Sequence, residues 1–199
     1  MRPLTLDDLL PLQEYAEKRR EFFGSLSRYL DRYRRVRIGP ELTLLFENRQ
    51  TLWFRLQEVL RIARLAEPTH VQEELNLYNR LLPGPGQLQA ALLIETPNEA
   101  QAAERLTFWQ TFRGEDLYLA IGPKKFPAQL LTCRPEDRCI GAAHWVQFHL
   151  GVAGRRLLAN FGRPAHCGVQ HGSYQHESPP LSEDVRQSLL DDLKLSDGD

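Results

Sequence analysis

The chain lacks several features that would narrow its function at once. Three cysteines, an odd number in 199 residues, do not make a disulfide framework, which excludes the class of small stapled secreted domains. No apolar run approaches the roughly 20 residues that a membrane-spanning helix needs. The opening MRPLTLDDLL carries two acids where a secretory signal would need a clean apolar stretch, so the cytoplasm is the expected compartment. There is no phosphate loop, dinucleotide fingerprint, GxSxG elbow or HExxH pair, and no internal repeat or low-complexity tract. With 42% hydrophobic and 26% charged residues, the composition is that of a globular chain with enough apolar material for a substantial core. A single domain over 1–195 is expected, with a disordered tail at 196–199.

The clearest pattern lies between Gly39 and Gly86. Leu42, Leu44 and Phe46 alternate with Glu41, Thr43, Leu45 and Glu47, the period of a strand with one well-buried face. Glu47, Asn48 and Arg49 then set two opposite charges and an amide on a turn between a strand and a helix, where rigid elements present side chains accurately. The helix that follows spans about Gln50 to Leu65, with Leu52, Leu56, Val59, Leu60 and Ala63 as its core stripe. Trp53, Phe54, Ile62 and Leu65 lie off that stripe, so the helix is expected to be covered on two flanks, and Gln57 and Glu58 need partners. A second helix starts near Pro68, with Thr69 and Gln72 at capping-box spacing and Val71, Leu75, Tyr78 and Leu82 facing inward. Pro83, Gly84, Pro85 and Gly86 end it.

The run LTLLFENR, the Gln57-Glu58 pair ten residues after its glutamate, QEEL in the next helix, and the Tyr78-Asn79 pair followed by LLPGPG carry a resemblance. They resemble an uncharacterised bacterial family of about this length that is classed as a domain of unknown function. Weaker echoes are LTLDDLLPLQEY, AAHWVQFHL, HGSY and LSEDVRQSLLDDL, so the resemblance extends over the whole chain. It implies no reaction. Proteins similar in this way tend to be encoded near rubrerythrin-like and iron–sulfur redox proteins, which implies a possible redox or iron–sulfur protein partner.

Elsewhere the chain reads as alternating helices and short strands. Thr5 with Asp7 and Asp8 predicts a capped helix start, stopped at Pro11. A long helix over about Leu12 to Tyr33 follows, with Tyr15, Phe22, Leu26, Tyr29 and Tyr33 on one face. Val36 to Ile38 and the Gly39-Pro40 turn suggest a hairpin or a sharply bent strand. Leu88 to Glu95 reads as a buried strand, although the same residues suit a helix. A helix is expected from Pro97-Asn98 to about Trp109, then strands at Leu117–Ile121, Phe126–Thr132 and Ala142–Leu150, a helix at about Val152–Phe161, and a last strand at about Ala165–Gln170. The final helix, about Leu181 to Leu195, carries Val185, Leu189 and Leu193 on one stripe, with Glu183, Asp184, Asp191 and Asp192 on the rest. Charge is uneven: arginines crowd the region from Glu17 to Arg37, and acids crowd the stretch after Glu177. The basic run reads as a solvated helix whose arginine stems cover core residues, nucleic acid is an unlikely partner, and the two segments have opposite charges with which to meet.

The residues with metal-binding chemistry sit late. His144, His149, His166, Cys167, His171 and His176 share the last third, but strand geometry scatters them. Cys167 and His171 share one face and His166 takes the other. Cys133 and Cys139 are too widely spaced for a zinc knuckle. Glu58, Glu73 and Glu74 lack the two Glu-x-x-His pairs of a di-iron bundle, since only Glu67 and His70 have that spacing and Pro68 interrupts them. The sequence therefore predicts an α+β fold in which a largely antiparallel sheet packs against several helices. The function expected is non-catalytic binding or accessory work, with Glu47, Asn48, Arg49 and Glu58 as the ligand-binding candidates and no cofactor. The alternative is a metal-dependent enzyme using His166, Cys167 and His171. Oligomeric state is not legible.

Overall fold

The computed structural model describes residues 1–95, 102–131 and 143–195. Helix α1 (Leu12–Tyr33) leads into the hairpin β1 (Arg35–Ile38) and β2 (Leu42–Glu47), followed by α2 (Arg49–Ala63) and α3 (Pro68–Asn79). Next come β3 (Gln87–Ile94), α4 (Ala102–Trp109), β4 (Leu117–Ile121), β5 (Lys124–Leu130), β6 (Ala143–His149) and α5 (Gly151–Ala159). The chain closes with β7 (Ala165–His171), β8 (Tyr174–Glu177) and α6 (Glu183–Leu195). Among the described residues, all eight strands join one sheet in the order β1-β2-β3-β6-β5-β4-β7-β8, and every pairing is antiparallel. This is the α+β architecture that the short strands and intervening loops imply.

The sheet curls almost into a barrel, and a period of two supplies its filling. Leu42, Leu44 and Phe46 point inward with Leu88, Ala90 and Leu92, and with Leu117, Leu119, Ile121, Val146, Phe148, Cys167 and Val169, into one buried cluster. Val185, Leu189, Leu190 and Leu193 of α6 join the same cluster, so the terminal helix covers its own fold. Asp192, expected on the polar side of that helix, is buried at 4% exposure. The oppositely charged segments do meet: Arg32 on α1 lies 2.8 Å from Asp184 on α6, and Arg34 pairs with Asp192. Arg186 of α6 is buried too, and donates to the carbonyls of Leu158 (2.7 Å) and Asn160 (2.7 Å), which the end of α5 leaves without helical partners.

The two sheet edges meet through a side chain. Tyr174 on β8 donates its hydroxyl to the Ile38 carbonyl (2.5 Å) and accepts from the Glu41 amide (3.1 Å). Gly39 lies beside it with φ +64°, and an added Cβ would fall 2.6 Å from both the His176 ring and the Tyr174 hydroxyl, so the turn needs glycine for conformation and for space.

Several sequence expectations change. Strand β2 is buried on both faces: Leu42, Leu44 and Phe46 face the interior, and on the other side Thr43, Leu45 and Glu47 are also covered, Glu47 by Arg55 of α2. Thr5–Asp8 makes a single 3-10 turn, closed by the Asp8 side chain on the Thr5 amide, and no longer helix. Helix α3 has Glu67 at its cap position with no side-chain capping bond. Pro68 already occupies the first turn, so Thr69 is inside the helix and the expected box does not form. Strand β8 is an addition: its burial pattern leaves only Tyr174 covered, too weak a period to signal a strand. A second small core of Leu4, Leu56, Leu60 and Leu75 ties α2 and α3 to the N-terminal segment. The helix start at Pro97-Asn98, the Cys133 to Cys139 loop and the tail at 196–199 lie outside the described residues.

Candidate functional site

The turn that ends β2 is built by one asparagine. Asn48 caps α2: its Oδ1 accepts from the Thr51 amide (3.1 Å), while the Thr51 hydroxyl accepts from the Asn48 amide (2.9 Å), leaving the helix start satisfied. The other half of the Asn48 amide, Nδ2, donates to the Tyr29 hydroxyl (2.9 Å), which also accepts from Arg34 Nε (2.9 Å). Arg34 in turn grips Asp192 with both ends of its guanidinium. Burial works against the Arg34 charge, but the bonds and attraction of Asp192 outweigh it and its pKa lies above the ordinary value. On Asp192 burial wins, raising the carboxyl above its usual range against the opposing pull of Arg34 and Asn48.

Arg49, one position into α2, reaches the N-terminal segment. Its Nη2 lies 2.6 Å from Asp8 Oδ2, an ion pair whose alignment is poor for a hydrogen bond, and its Nε donates to the Arg2 carbonyl (3.1 Å). Asp8 also takes Arg2 (2.9 Å) and the Thr5 amide (2.8 Å). Arg49 first, and then Thr5, pull the Asp8 carboxyl down to about 2. The Trp53 indole donates to the Asp8 carbonyl (2.8 Å), so its ring is fixed in place beside the same turn. Between these groups opens a cavity of about 540 Å³, lined by Met1, Arg2, Asp8, Asn48, Arg49, Gln50, Trp53 and Asp192. Its size falls within the usual range for small-molecule sites.

Of the four residues singled out by sequence, Asn48 and Arg49 line this cavity and Glu47 and Glu58 do not. Glu47 is 2% exposed on the outer side of β2, held by Arg55 (2.7 Å), whose guanidinium lies over Trp145. Its second oxygen has no hydrogen-bond partner among the described residues, and neither amide atom of Gln89, opposite it on β3, has one. Glu58 sits further along α2 and accepts from Tyr15 (2.9 Å), from Arg19 through two nitrogens (2.8 and 2.9 Å) and from Arg61 (3.2 Å). Burial alone would raise its carboxyl, but Arg19, Arg61 and Tyr15 together bring it to about 2. Glu58 is the knot that ties α1 to α2.

The late histidines are spread over different surroundings. Cys167 is buried in the core, and burial pushes its thiol up to about 12. His171 faces inward at the end of β7, stacked on Trp109 with Nδ1 2.9 Å from Asp116, whereas His166 faces outward 3.3 Å from Glu177. Among the described residues no group of three or more His, Cys, Asp or Glu side chains is placed to hold a metal ion, and no helix among them is long and apolar enough to cross a membrane.

Comparison with known proteins adds identity at this point. The family model described as Protein of unknown function (DUF3501) matches residues 3–193. The chain belongs to the DUF3501 family. Its fold is similar to a crystal structure described as a novel protein of unknown function from Burkholderia pseudomallei K96243, at 31% identity and a TM-score of 0.86, covering 96% of this chain and 100% of that one. No curated protein matches the chain. The family assignment agrees with the resemblance carried by LTLLFENR and LLPGPG.

Within this DUF3501 chain, six of the eight wall residues were not singled out from the sequence, Asp8, Trp53 and Asp192 among them. Asp8 was legible only as a helix-start acid. Trp53 stood out as lying off the core stripe of α2, which is the one signal that pointed toward a second contact surface. Asp192 was hidden among the acids of α6, since nothing local says that one of them turns inward to Arg34.

Proposed function

We propose that the protein is a binding protein without catalysis of its own, and that it holds a compact ligand in the cavity beside Asn48. The observation that carries this reading is the state of the charges in the wall. Asp8 is engaged by Arg2 and Arg49, and Asp192 by Arg34. Every carboxylate of the wall is thus matched from within, and a cationic ligand would have to break a pair to gain one. A neutral molecule with an apolar body and a hydrogen-bonding end suits the Trp53 ring and the Asn48 and Gln50 amides. The described lining holds no histidine, cysteine, serine or lysine, and Asp8, at about 2, stays ionised at neutral pH and is a poor proton donor or acceptor there. An accessory role beside a redox or iron–sulfur protein is part of this reading, resting on what the family resemblance implies and on no residue of the site.

A thermal-shift screen of neutral fragments tests the proposal. At least one fragment should raise the Tm of the parent and fail to raise that of Gln50→Trp, in which an indole fills the cavity mouth from an exposed position. If fragments stabilise both proteins equally, the ligand site is elsewhere.

A further inference from the structure

Strand β1 ends the sheet, and the alternation of its hydrogen bonds tells which of its groups are spoken for. The Phe46 amide donates to the Arg34 carbonyl (3.0 Å), and the register pairs Val36 with Leu44 and Ile38 with Leu42. Positions 34, 36 and 38 therefore bond to β2, and the backbone N–H and C=O groups of Arg35 and Arg37 point the other way. No described residue bonds to those four groups. Facing them is the segment 178–182, which cannot close the ladder: Ser178 and Leu181 give their amides to β7 carbonyls (2.8 and 2.7 Å), and Pro179 and Pro180 have none to give. The seam is pinned at the Ile38 end by Tyr174 and opens at the Arg35 end into a groove of about 260 Å³, with Val36, Leu181 and Val185 as its apolar lining and a charged lining of three cations, Arg32, Arg35 and Arg37, against one acid, Asp31.

We propose that this open edge is a docking site for an extended acidic segment of a partner protein, which adds as a strand alongside β1. Backbone groups of Arg35 and Arg37 supply the ladder bonds, as in strand addition generally. The pleat sets the side-chain pattern. Residues of the incoming strand beside Arg35 and Arg37 are acidic, and the residue between them is apolar and rests on Val36. The arginines are free to exchange partners, since their present ones are exposed: Asp184 for Arg32, Asp31 for Arg35, and Glu95 at 3.6 Å for Arg37. Such pairs contribute little and yield readily to a ligand that also brings hydrogen bonds.

The test is fluorescence anisotropy with a labelled peptide of alternating glutamate and valine on the full chain. Binding should be measurable at low salt, weaken as salt rises, and fall roughly tenfold or more for the Arg35→Glu/Arg37→Glu variant, whose Tm and circular dichroism show that it is folded. A lysine–valine peptide should bind that variant better than it binds the parent. A peptide N-methylated at alternate backbone nitrogens leaves the protein untouched and should lose binding to the same extent. If the N-methylated peptide binds as tightly as the parent peptide, or the charge-reversed protein does not discriminate, strand addition at β1 is wrong. A dimer of this chain formed through β1 that excludes the peptide would also overturn the proposal.

Discussion

Arg34 and Asp192 stand 158 positions apart in the chain, and their side chains meet as an ion pair with 3% and 5% of their surfaces exposed. The pair fastens the end of α1 to α6, and its Asp192 forms part of the cavity wall. Removing a single member leaves an uncompensated buried charge, so Asp192→Ala should destabilise by about 3–5 kcal/mol. In Arg34→Met/Asp192→Leu both charges go together, and chemical denaturation should show a smaller loss than for either single change. Equal losses in all three would mean that packing, not charge, matters at this position.

Glu58 makes stability depend on acid. Its carboxyl is lowered from 4.5 to about 2 in the folded state, so the unfolded chain takes up the proton first. The stabilisation is present above about pH 4.5 and is lost as pH falls toward 2. After allowance for solvent screening it is of order 1–2 kcal/mol. The Tm of the parent should drop across that window, and Glu58→Gln, less stable at pH 7, should show a shallower drop. Parallel curves would place the acid sensitivity elsewhere, with Asp8 as the next candidate.

Much of this architecture is visible in the chain itself. The period of two in β2 and the leucine stripe of α6 reflect burial of one face, and burial writes itself into residue order. Long-range pairing does not. Nothing near Asp192 announces Arg34, and nothing near Asp8 announces Arg49, so most of the cavity wall was invisible. Glu47 shows the same limit: a charge at the end of a strand looks available, yet it is buried and Arg55 of α2 pairs with it. β8 escaped because an edge strand with one covered residue has almost no pattern to read.

Among its described side chains, helix α6 supplies four to the main core. Leu189→Ala should therefore cost about 2–5 kcal/mol, the range for emptying a buried leucine site. Truncation before Pro179 should yield an aggregating or strongly destabilised protein. A truncated chain that remained soluble and melted like the parent would show that α6 contributes little to the fold.

Gly39 is expected to be intolerant of any side chain. Alanine there meets both the left-handed backbone and the Tyr174–His176 contact, and should lower stability by about 1–3 kcal/mol. Hydrogen exchange should locate the loosening in β1 and β8. Protection unchanged in both strands would mean that the Tyr174 clasp does not hold the edges together.

The claim that matters most is that the cavity between Asn48, Trp53 and Asp192 is a ligand site. Crystals soaked with a mixture of small neutral fragments test it directly. A fragment should lie against the Trp53 ring and hydrogen bond to Asn48 or Gln50, with the Arg34–Asp192 pair intact. Fragments bound reproducibly elsewhere, with only water in this cavity, would contradict the account.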